Sequence, residues 1–155
     1  MQRIFLAFAL LFCSVSVFSQ NNYNQALGVR LVGGTTISYK NYFGGSNNME
    51  LQVAFWKNGT RVGGLYEFNH PVSGMNGLNF ILGPGIHFGR WNGKYKDQHS
   101  DAKGSEFGID GIIGLDYGFP KIPINISIDW QPSLILAGGS DFTPNLGGIG
   151  IRYTF

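Results

Sequence analysis

The stretch GIGIRYTF, from Gly148 to Phe155, ends the chain and decides between the fold classes open to it. Apolar side chains alternate in it with Gly, Arg and Thr, which is the period-two pattern of a β-strand with one apolar face. The last residues of a water-soluble domain usually fray, so a terminal phenylalanine on an ordered strand needs an apolar environment. We therefore expect this strand to close a barrel whose outer surface contacts lipid.

The first residues have the three-part pattern of a secretory signal peptide. A short basic start is followed by the apolar run Ile4–Phe12, and small side chains precede an expected cleavage point after Ser19. The sequence thus predicts an exported domain over residues 20–155. A membrane anchor is the alternative, but the apolar run is short for a span of about 20 residues. Cleavage would also remove Cys13, the single cysteine of the chain.

The rest of the chain alternates strand patterns with turn signals, without a convincing helical period. Asn58-Gly59 is a strong hairpin signal, and Pro84 inside a strand suggests a β-bulge. An even number of alternating segments of about ten residues is typical of an all-β, eight-stranded, antiparallel up-and-down transmembrane barrel. The eight predicted strands are Ala26–Gly33, Ile37–Phe43, Met49–Lys57, Arg61–Asn69, Gly77–Trp91, Glu106–Phe119, Ile122–Leu134 and Leu146–Phe155.

One face of these strands carries nearly all of their charge, and the other is almost entirely Leu, Ile, Val, Phe, Tyr and Trp. Alternation alone fits both a membrane barrel and a soluble barrel or sandwich, because a soluble fold turns its apolar face to the core. The charged face carries Arg30, Lys40, Glu50, Glu67, His87, Asp110, Asp116, Asp129 and Arg152.

Three features favour an inward charged face. Charged residues make up 13% of the chain, against roughly 25% in soluble domains. Many aromatic residues, Trp91 among them, lie near strand ends, as interfacial girdles do. The charged face is also rich in glycine, which leaves room for long side chains in a narrow eight-stranded lumen. These glycines are Gly28, Gly63, Gly83, Gly85, Gly108, Gly114, Gly148 and Gly150.

The charged face therefore predicts a polar network inside the lumen, in which buried charges pair with each other or meet water. Arg30 and Arg152 lie on the two strands that close the barrel. By strand order, Asp129 and Glu50 are the acids nearest to them. We interpret this network as a salt-bridged plug.

GIGIRYTF resembles the closing strand of small eight-stranded Gram-negative outer-membrane barrels, of the OmpX and OmpA transmembrane-domain type. Such strands end in an aromatic residue with apolar residues at alternate positions, here Ile149, Ile151, Tyr153 and Phe155. The segments ALGVRLVGGTTISYK, GLYEFNH and IPINISIDWQP also resemble uncharacterised outer-membrane barrel proteins, so the resemblance covers about residues 25–155. It implies a place in the cell outer membrane, in contact with lipid and lipopolysaccharide. It also implies that the barrel-assembly machinery reads these four alternate residues, Ile149, Ile151, Tyr153 and Phe155, as an assembly signal.

Few residue patterns point to catalysis or cofactor binding, and we expect neither, nor a bound metal. Asp97-x-His99-x-Asp101 has the spacing of a cation site but lacks the carboxylates of a calcium loop. His87 with Ser127 or an acid could form a hydrolase site, yet no Gly-x-Ser-x-Gly motif occurs. The net charge of +2 offers no basic face for a nucleic acid.

These observations predict an outer-membrane barrel with a charge-plugged lumen and a structural or surface-interaction role. The long polar segment 92–105 would lie outside the cell and would be free to bind a surface partner. The alternatives are a narrow, porin-like channel for small solutes, a lipid-modifying barrel enzyme, and a soluble lipocalin-like carrier with the opposite polarity.

Overall fold

The computed structural model describes residues 23–31, 34–43, 47–57, 59–91, 104–138, 142–143 and 147–155. The predicted signal peptide lies outside these residues, as do the Asp97, His99 and Asp101 motif and nearly all of segment 92–105. In the part of the chain that the structure describes, no helix has the length and apolar character needed to cross a membrane.

Ten strand segments form one closed antiparallel sheet. Chain neighbours pair from β1 to β7, and β10 pairs with both β7 and β1, so the first and last strands close the barrel. The predicted all-β, eight-stranded antiparallel barrel is therefore confirmed. The segments are β1 Gln25–Leu31, β2 Thr35–Phe43, β3 Asn47–Trp56, β4 Gly59–Pro71, β5 Leu78–Trp91, β6 Ser105–Gly118, β7 Ile124–Trp130, β8 Ser133–Ala137, β9 Phe142–Thr143 and β10 Gly147–Thr154.

Two of the eight barrel strands are each described as two segments, which gives ten. β7 and β8 are separated by residues 131 and 132, whereas β9 and β10 lie on either side of residues 144–146, which are outside the described residues. Ile113 of β6 faces Trp130 of β7, and Asp110 faces Ser133 of β8, so β7 and β8 continue in one register against β6. The ladder breaks at Pro132, which has no N–H to donate. β9 pairs with β8 and so extends the wall on the β10 side. The predicted strand Ile122–Leu134 thus begins two residues later and runs three residues further.

The β-bulge predicted at Pro84 is wrong. Leu65 of β4 faces Gly85, and Phe68 faces Leu82, so the register is the same on both sides of the proline. No extra residue is inserted. The missing N–H of Pro84 interrupts the ladder to β4, while pairing with β6 continues through Pro84 and Gly111.

The hairpin between β3 and β4 lies where Asn58-Gly59 predicted a turn. Trp56 pairs with Gly59, so Gly59 already belongs to β4. Asn58 itself lies outside the described residues. A side chain at Gly59 would meet the Trp91 ring, since an added Cβ would lie 2.5 Å from Trp91 Cε3. Close packing thus accounts for the glycine.

The distribution of side chains over the two faces is the reverse of that in a soluble protein. Among the described residues, five apolar side chains are buried, against twenty-one polar or charged ones, while thirty large apolar side chains are exposed. Ile128 is 58% exposed and Tyr153 is 36% exposed, whereas Arg152 between them on the wall is 1% exposed. The charged face therefore points inward and the apolar face outward.

Candidate functional site: the polar lumen

The structure places all nine residues of the predicted polar network inside the barrel, each at most 7% exposed. We call the end of the lumen near Gln25 and Phe155 the terminal end. We call the opposite end, where β5 leads into residues 92–103, the loop end. The alternation of each strand brings every second side chain to this interior, so the network follows from strand register.

Lys40 is at the centre of a cluster in the terminal half. Its Nζ lies 2.7 Å from Glu67 Oε2 and 2.8 Å from Asp116 Oδ2, and 3.7 Å from Glu50 Oε2. These residues come from β2, β4, β6 and β3, so the contacts cross the lumen. Asn125 also donates a hydrogen bond to Asp116.

Arg152 of β10 lies beside this cluster, and all three of its guanidinium nitrogens donate hydrogen bonds. Its Nη2 donates to Glu50 Oε1 at 2.8 Å, its Nε to Ser38 at 2.6 Å and its Nη1 to Ser127 at 2.9 Å. Planar guanidinium groups satisfy several acceptors at once in a fixed geometry. Arg152 thereby links three parts of the wall.

Arg30 of β1 pairs with Asp129 of β7. The Arg30 Nε lies 2.9 Å from Oδ1 and 3.1 Å from Oδ2 of Asp129, and Nη2 also donates to Oδ1. The two strands are separated by β10, so this pair spans one strand of the wall. Arg30 and Arg152 thus pair with the two acids that strand order places nearest to them.

His87, Asp110 and Ser133 form a third cluster. His87 Nδ1 lies 2.9 Å from Asp110 Oδ1 and 3.3 Å from Ser133 Oγ, and Ser133 also donates to Asp110. In a Ser-His-Asp triad the hydroxyl bonds to one ring nitrogen and the carboxylate to the other. Here both contact Nδ1, so the arrangement is not that of a triad. Ser127, the other hydroxyl considered, contacts Arg152 instead.

A buried pair at the loop end is not among the residues predicted from the sequence. Arg61 Nη2 lies 2.8 Å from Glu106 Oε1, and Trp91 Nε1 donates to Glu106 Oε2 at 2.6 Å. The guanidinium carbon of Arg61 is 5.4 Å from the centre of the Trp56 ring. Arg61 and Glu106 each begin a predicted strand, but their position in the alternation already matches the inward face.

Trp56 and Trp91 also face inward, and their rings stack with centroids 5.8 Å apart. In the alternation of its strand, each has the same parity as the buried side chains that face the lumen. The assignment of Trp91 to an outer girdle is therefore wrong. Its ring instead packs at the loop end of the lumen, where its indole N–H needs the carboxylate of Glu106.

Tyr23 lies ahead of β1 at the terminal end. Its ring meets Tyr42 edge-on with centroids 5.1 Å apart, and its hydroxyl lies against Gly118. Burial, followed by the nearby Asp116 carboxylate, raises the pKa of Tyr23. The phenol therefore stays neutral and can donate a hydrogen bond. The predicted first strand, Ala26–Gly33, does not include this residue.

Glycines make room for the charged groups, as the sequence predicted for a narrow lumen. A Cβ added at Gly150 would lie 2.6 Å from Ser127 Oγ and 2.8 Å from Arg152 Nη1. One at Gly89 would lie 2.7 Å from Glu106 Oε1. Larger residues at these positions would displace the ion pairs.

The described part of the chain contains no group of three or more His, Cys, Asp or Glu side chains arranged to hold a metal ion. The predicted motif at Asp97, His99 and Asp101 lies outside it.

Comparisons with known proteins give a fold likeness only. No protein-family model matches the chain, and no curated protein matches it. Among solved structures, the chain is similar to the N-terminal β-barrel domain of Pseudomonas aeruginosa OprF, with a TM-score of 0.60 and 14% sequence identity. The match covers 86% of this chain and 98% of that one. The protein therefore shares the closed eight-stranded antiparallel barrel fold of that domain.

Proposed function

We propose that the protein is an integral outer-membrane β-barrel whose lumen is closed by ion pairs and whose role is structural or surface-interacting. The observation that carries the proposal is the polarity of the barrel, with an apolar outer face and a charged interior. Only a fold with every backbone group bonded internally can cross a bilayer, and a closed barrel is one of the two solutions.

The lumen contacts support a closed pore. The Lys40 cluster joins four strands across the terminal half, and the bonds of Arg152 and Arg30 lie beside it. An eight-stranded barrel has an interior just wide enough for side chains to fill. A solute crossing the lumen would have to separate these buried pairs, each of which is costly to break.

The outer-membrane assignment is tested by fractionation together with gel migration. We expect the protein in the outer-membrane fraction, with a folded band that shifts in mobility when the sample is heated before electrophoresis. Recovery in the periplasm or medium would support the soluble carrier instead. Mass spectrometry of the purified protein shows whether the chain begins at Gln20, as cleavage after Ser19 predicts.

The closed lumen is tested by conductance in planar bilayers. We expect no steady single-channel current for the unaltered protein. The matched variant is Lys40→Met with Glu67→Gln and Asp116→Asn, which removes the cluster without leaving a buried unpaired charge. A steady current through the unaltered protein would support the channel alternative.

The surface role rests on the loop end, where Lys57 and Arg90 are exposed beside the connection to residues 92–103. Shortening this connection by deleting residues 94–101 should leave the barrel folded and weaken binding to lipopolysaccharide vesicles or to whole cells. An unchanged binding curve would exclude this segment as the interaction surface.

A lipid-modifying enzyme finds no support in the lumen. His87 and Asp110 are buried, and no described hydroxyl forms a hydrogen bond with the Nε2 atom of His87. If the barrel were such an enzyme, His87→Ala would change the lipid composition of cells that produce the protein. We expect no change.

A further inference from the structure

The charges on the outer wall of the barrel are all positive. In the part of the chain that the structure describes, every Asp and Glu side chain lies in the lumen and is at most 7% exposed. Four described Lys and Arg side chains are buried with them, and the exposed ones are Lys57, Arg90 and Lys121. Lys57 and Arg90 lie at the loop end, whereas Lys121 lies in the turn that follows β6 at the terminal end. The outer wall therefore attracts anions, most strongly at its loop end.

Arg90 lies between two hydroxyl side chains on this wall. In the register of the sheet it is directly opposite Thr60 of β4 on one side and Ser105 of β6 on the other. All three are exposed, and directly opposite Cβ atoms are about 4.5–5.5 Å apart. Thr60 is in turn opposite Phe55, two residues before Lys57. We call Lys57, Thr60, Arg90 and Ser105 the rim site, because all four can donate hydrogen bonds to an oxyanion at the rim of the barrel.

Contacts inside the lumen hold the rim site in place. The Trp56 and Trp91 rings stack across β4 with centroids 5.8 Å apart, and each tryptophan is next in sequence to one of the two cations. Trp91 also donates a hydrogen bond to Glu106. The stack therefore fixes the ends of β3 and β5, and with them the backbone at Lys57 and Arg90. A site that the fold holds in position loses less entropy when a ligand binds.

An apolar surface continues from the rim site toward the middle of the wall. The next outward residues on the same three strands are Val62, Phe88 and Phe107, which are opposite one another in register. All three are exposed. A partner that fits both surfaces has an anionic head and an apolar body, which describes an anionic lipid.

The height of the rim site matches the headgroup region of a bilayer. From Phe107 to Tyr117, β6 runs for ten residue steps, which is about 34 Å along the strand. At a strand tilt of about 40° this corresponds to about 26 Å of barrel height. The apolar band of an outer-membrane barrel is about 25 Å tall. Ser105, and with it Arg90, therefore lies just beyond the apolar band.

The two ends of the outer wall differ in chemistry. Neutral aromatic pairs, each a tyrosine against a phenylalanine, lie on the wall at the terminal end, as is typical of a membrane interface. The loop end has the rim site instead, so it suits a leaflet with anionic headgroups. The aromatic pairs are Tyr66–Phe68, Tyr117–Phe119 and Tyr153–Phe155.

We propose that the rim site binds a phosphate group of lipopolysaccharide, with the acyl chains of the lipid against the apolar row below. Arg90 donates two parallel hydrogen bonds to phosphate oxygens, and Lys57 adds a second positive charge. The hydroxyls of Thr60 and Ser105 donate to the remaining oxygens. This inference deepens the proposed outer-membrane function and rests on it.

Retention of lipid by the folded barrel tests the site. The protein is folded in detergent with lipopolysaccharide or with the same lipid after removal of its phosphates, and bound lipid is measured by native mass spectrometry. Lys57→Gln with Arg90→Gln should weaken retention of the phosphorylated lipid by about 30-fold, since each basic residue near an anionic surface strengthens binding. Lys121→Gln, which removes the exposed cation at the other end, is the matched control and should retain the lipid. The dephosphorylated lipid should be held equally weakly by all three proteins.

A second variant separates the rim site from general attraction of charge. Thr60→Val with Ser105→Ala keeps both cations and removes both hydroxyls, so it should weaken retention severalfold. Retention equal to that of the unaltered protein would overturn the site as described. Should the glutamine variant fail to give the heat-modifiable folded band, this variant carries the test alone. An excess of inorganic phosphate should not displace the lipid, and displacement by phosphate alone would overturn a lipid as the occupant.

Folding into phosphatidylcholine vesicles distinguishes failure of this inference from failure of the proposed function. A protein that folds there but retains phosphorylated and dephosphorylated lipid equally would overturn the phosphate site alone. A protein that folds into no lipid vesicle would overturn the outer-membrane barrel as well.

Discussion

Arg152 Nη2 on the closing strand lies 2.8 Å from Glu50 Oε1, three strands away on β3. The bond is inside the barrel, so the strand that completes the wall is also tied across its interior. Closure of the barrel and filling of the lumen are therefore coupled through one residue.

Replacing Arg152 by Met should destabilise the barrel by about 3–5 kcal/mol, because buried Glu50 loses its hydrogen-bonded cationic partner and keeps only Lys40, whose Nζ is 3.7 Å away. Urea unfolding in detergent, followed by heat-modifiable migration, measures the change. Arg90→Met is the matched control, since Arg90 is exposed at the end of β5, and it should change stability by less than about 0.5 kcal/mol. An unchanged free energy of unfolding in Arg152→Met would contradict the proposed role of Arg152. Adding Glu50→Gln to Arg152→Met should restore part of the lost stability.

Placing a charge on the apolar face should hinder insertion. Ile128 is 58% exposed in the middle of the wall, and Ile128→Arg should cost about 2–4 kcal/mol if the position faces the bilayer midplane. Ile122→Arg, in the connection between β6 and β7, is the control and should be tolerated. Folding into lipid vesicles measures both. Equal folding yields would argue against burial of Ile128 in lipid.

Filling the space at Gly150 should loosen the charge network. A methyl group there would press on Ser127 and Arg152, so Gly150→Ala should destabilise the barrel by about 1–3 kcal/mol. Gly147→Ala is the control, because its Cβ would lie 3.5 Å from the nearest atom, Asp129 O. Thermal unfolding of the two variants should therefore differ, and identical melting temperatures would show that the lumen has spare room near Arg152.

The terminal aromatic residue should matter for assembly more than for stability. Phe155 is half exposed, and its backbone bonds to Gln25 remain available to any residue. Phe155→Ala should lower the amount of folded protein in cells while refolding in vitro proceeds almost unchanged. Phe142→Ala, also exposed, is the control for a general loss of apolar surface. Full cellular yield from Phe155→Ala would exclude the terminal residue as an assembly signal.

Strand alternation predicted which side chains share a face of the wall, because a period of two places each side chain on a definite face. The prediction of a closed barrel also needed the even number of strands, and the inward polarity needed the low charge content, the aromatic positions and the glycines. The alternation also identified Arg30, Asp129, Arg152 and Glu50 as residues of one face. The distances between them depend on register, which in a barrel is set by all eight pairings together, so the pattern of one strand does not reveal it.

Contacts at the ends of strands are hard to predict from the sequence. Arg61 and Glu106 begin predicted strands, where turn signals obscure the alternation. Trp91 was assigned to the lipid interface because its position near a strand end is typical of girdles. Its inward orientation follows from the position of His87, which lies four residues earlier on the same strand and therefore on the same face. The bulge prediction at Pro84 is wrong because the missing N–H of a proline can interrupt the hydrogen bonds between two strands without an extra residue being inserted.

Fluorescence quenching by lipids brominated in their acyl chains tests the orientation of the barrel wall most directly. The chain has three tryptophans. Trp130 lies on the outer face and is 47% exposed, whereas Trp56 and Trp91 point into the lumen. A variant that keeps only Trp130 should be strongly quenched, and one that keeps only Trp56 should be quenched little. Strong quenching of Trp56 with none of Trp130 would contradict an apolar face turned to lipid.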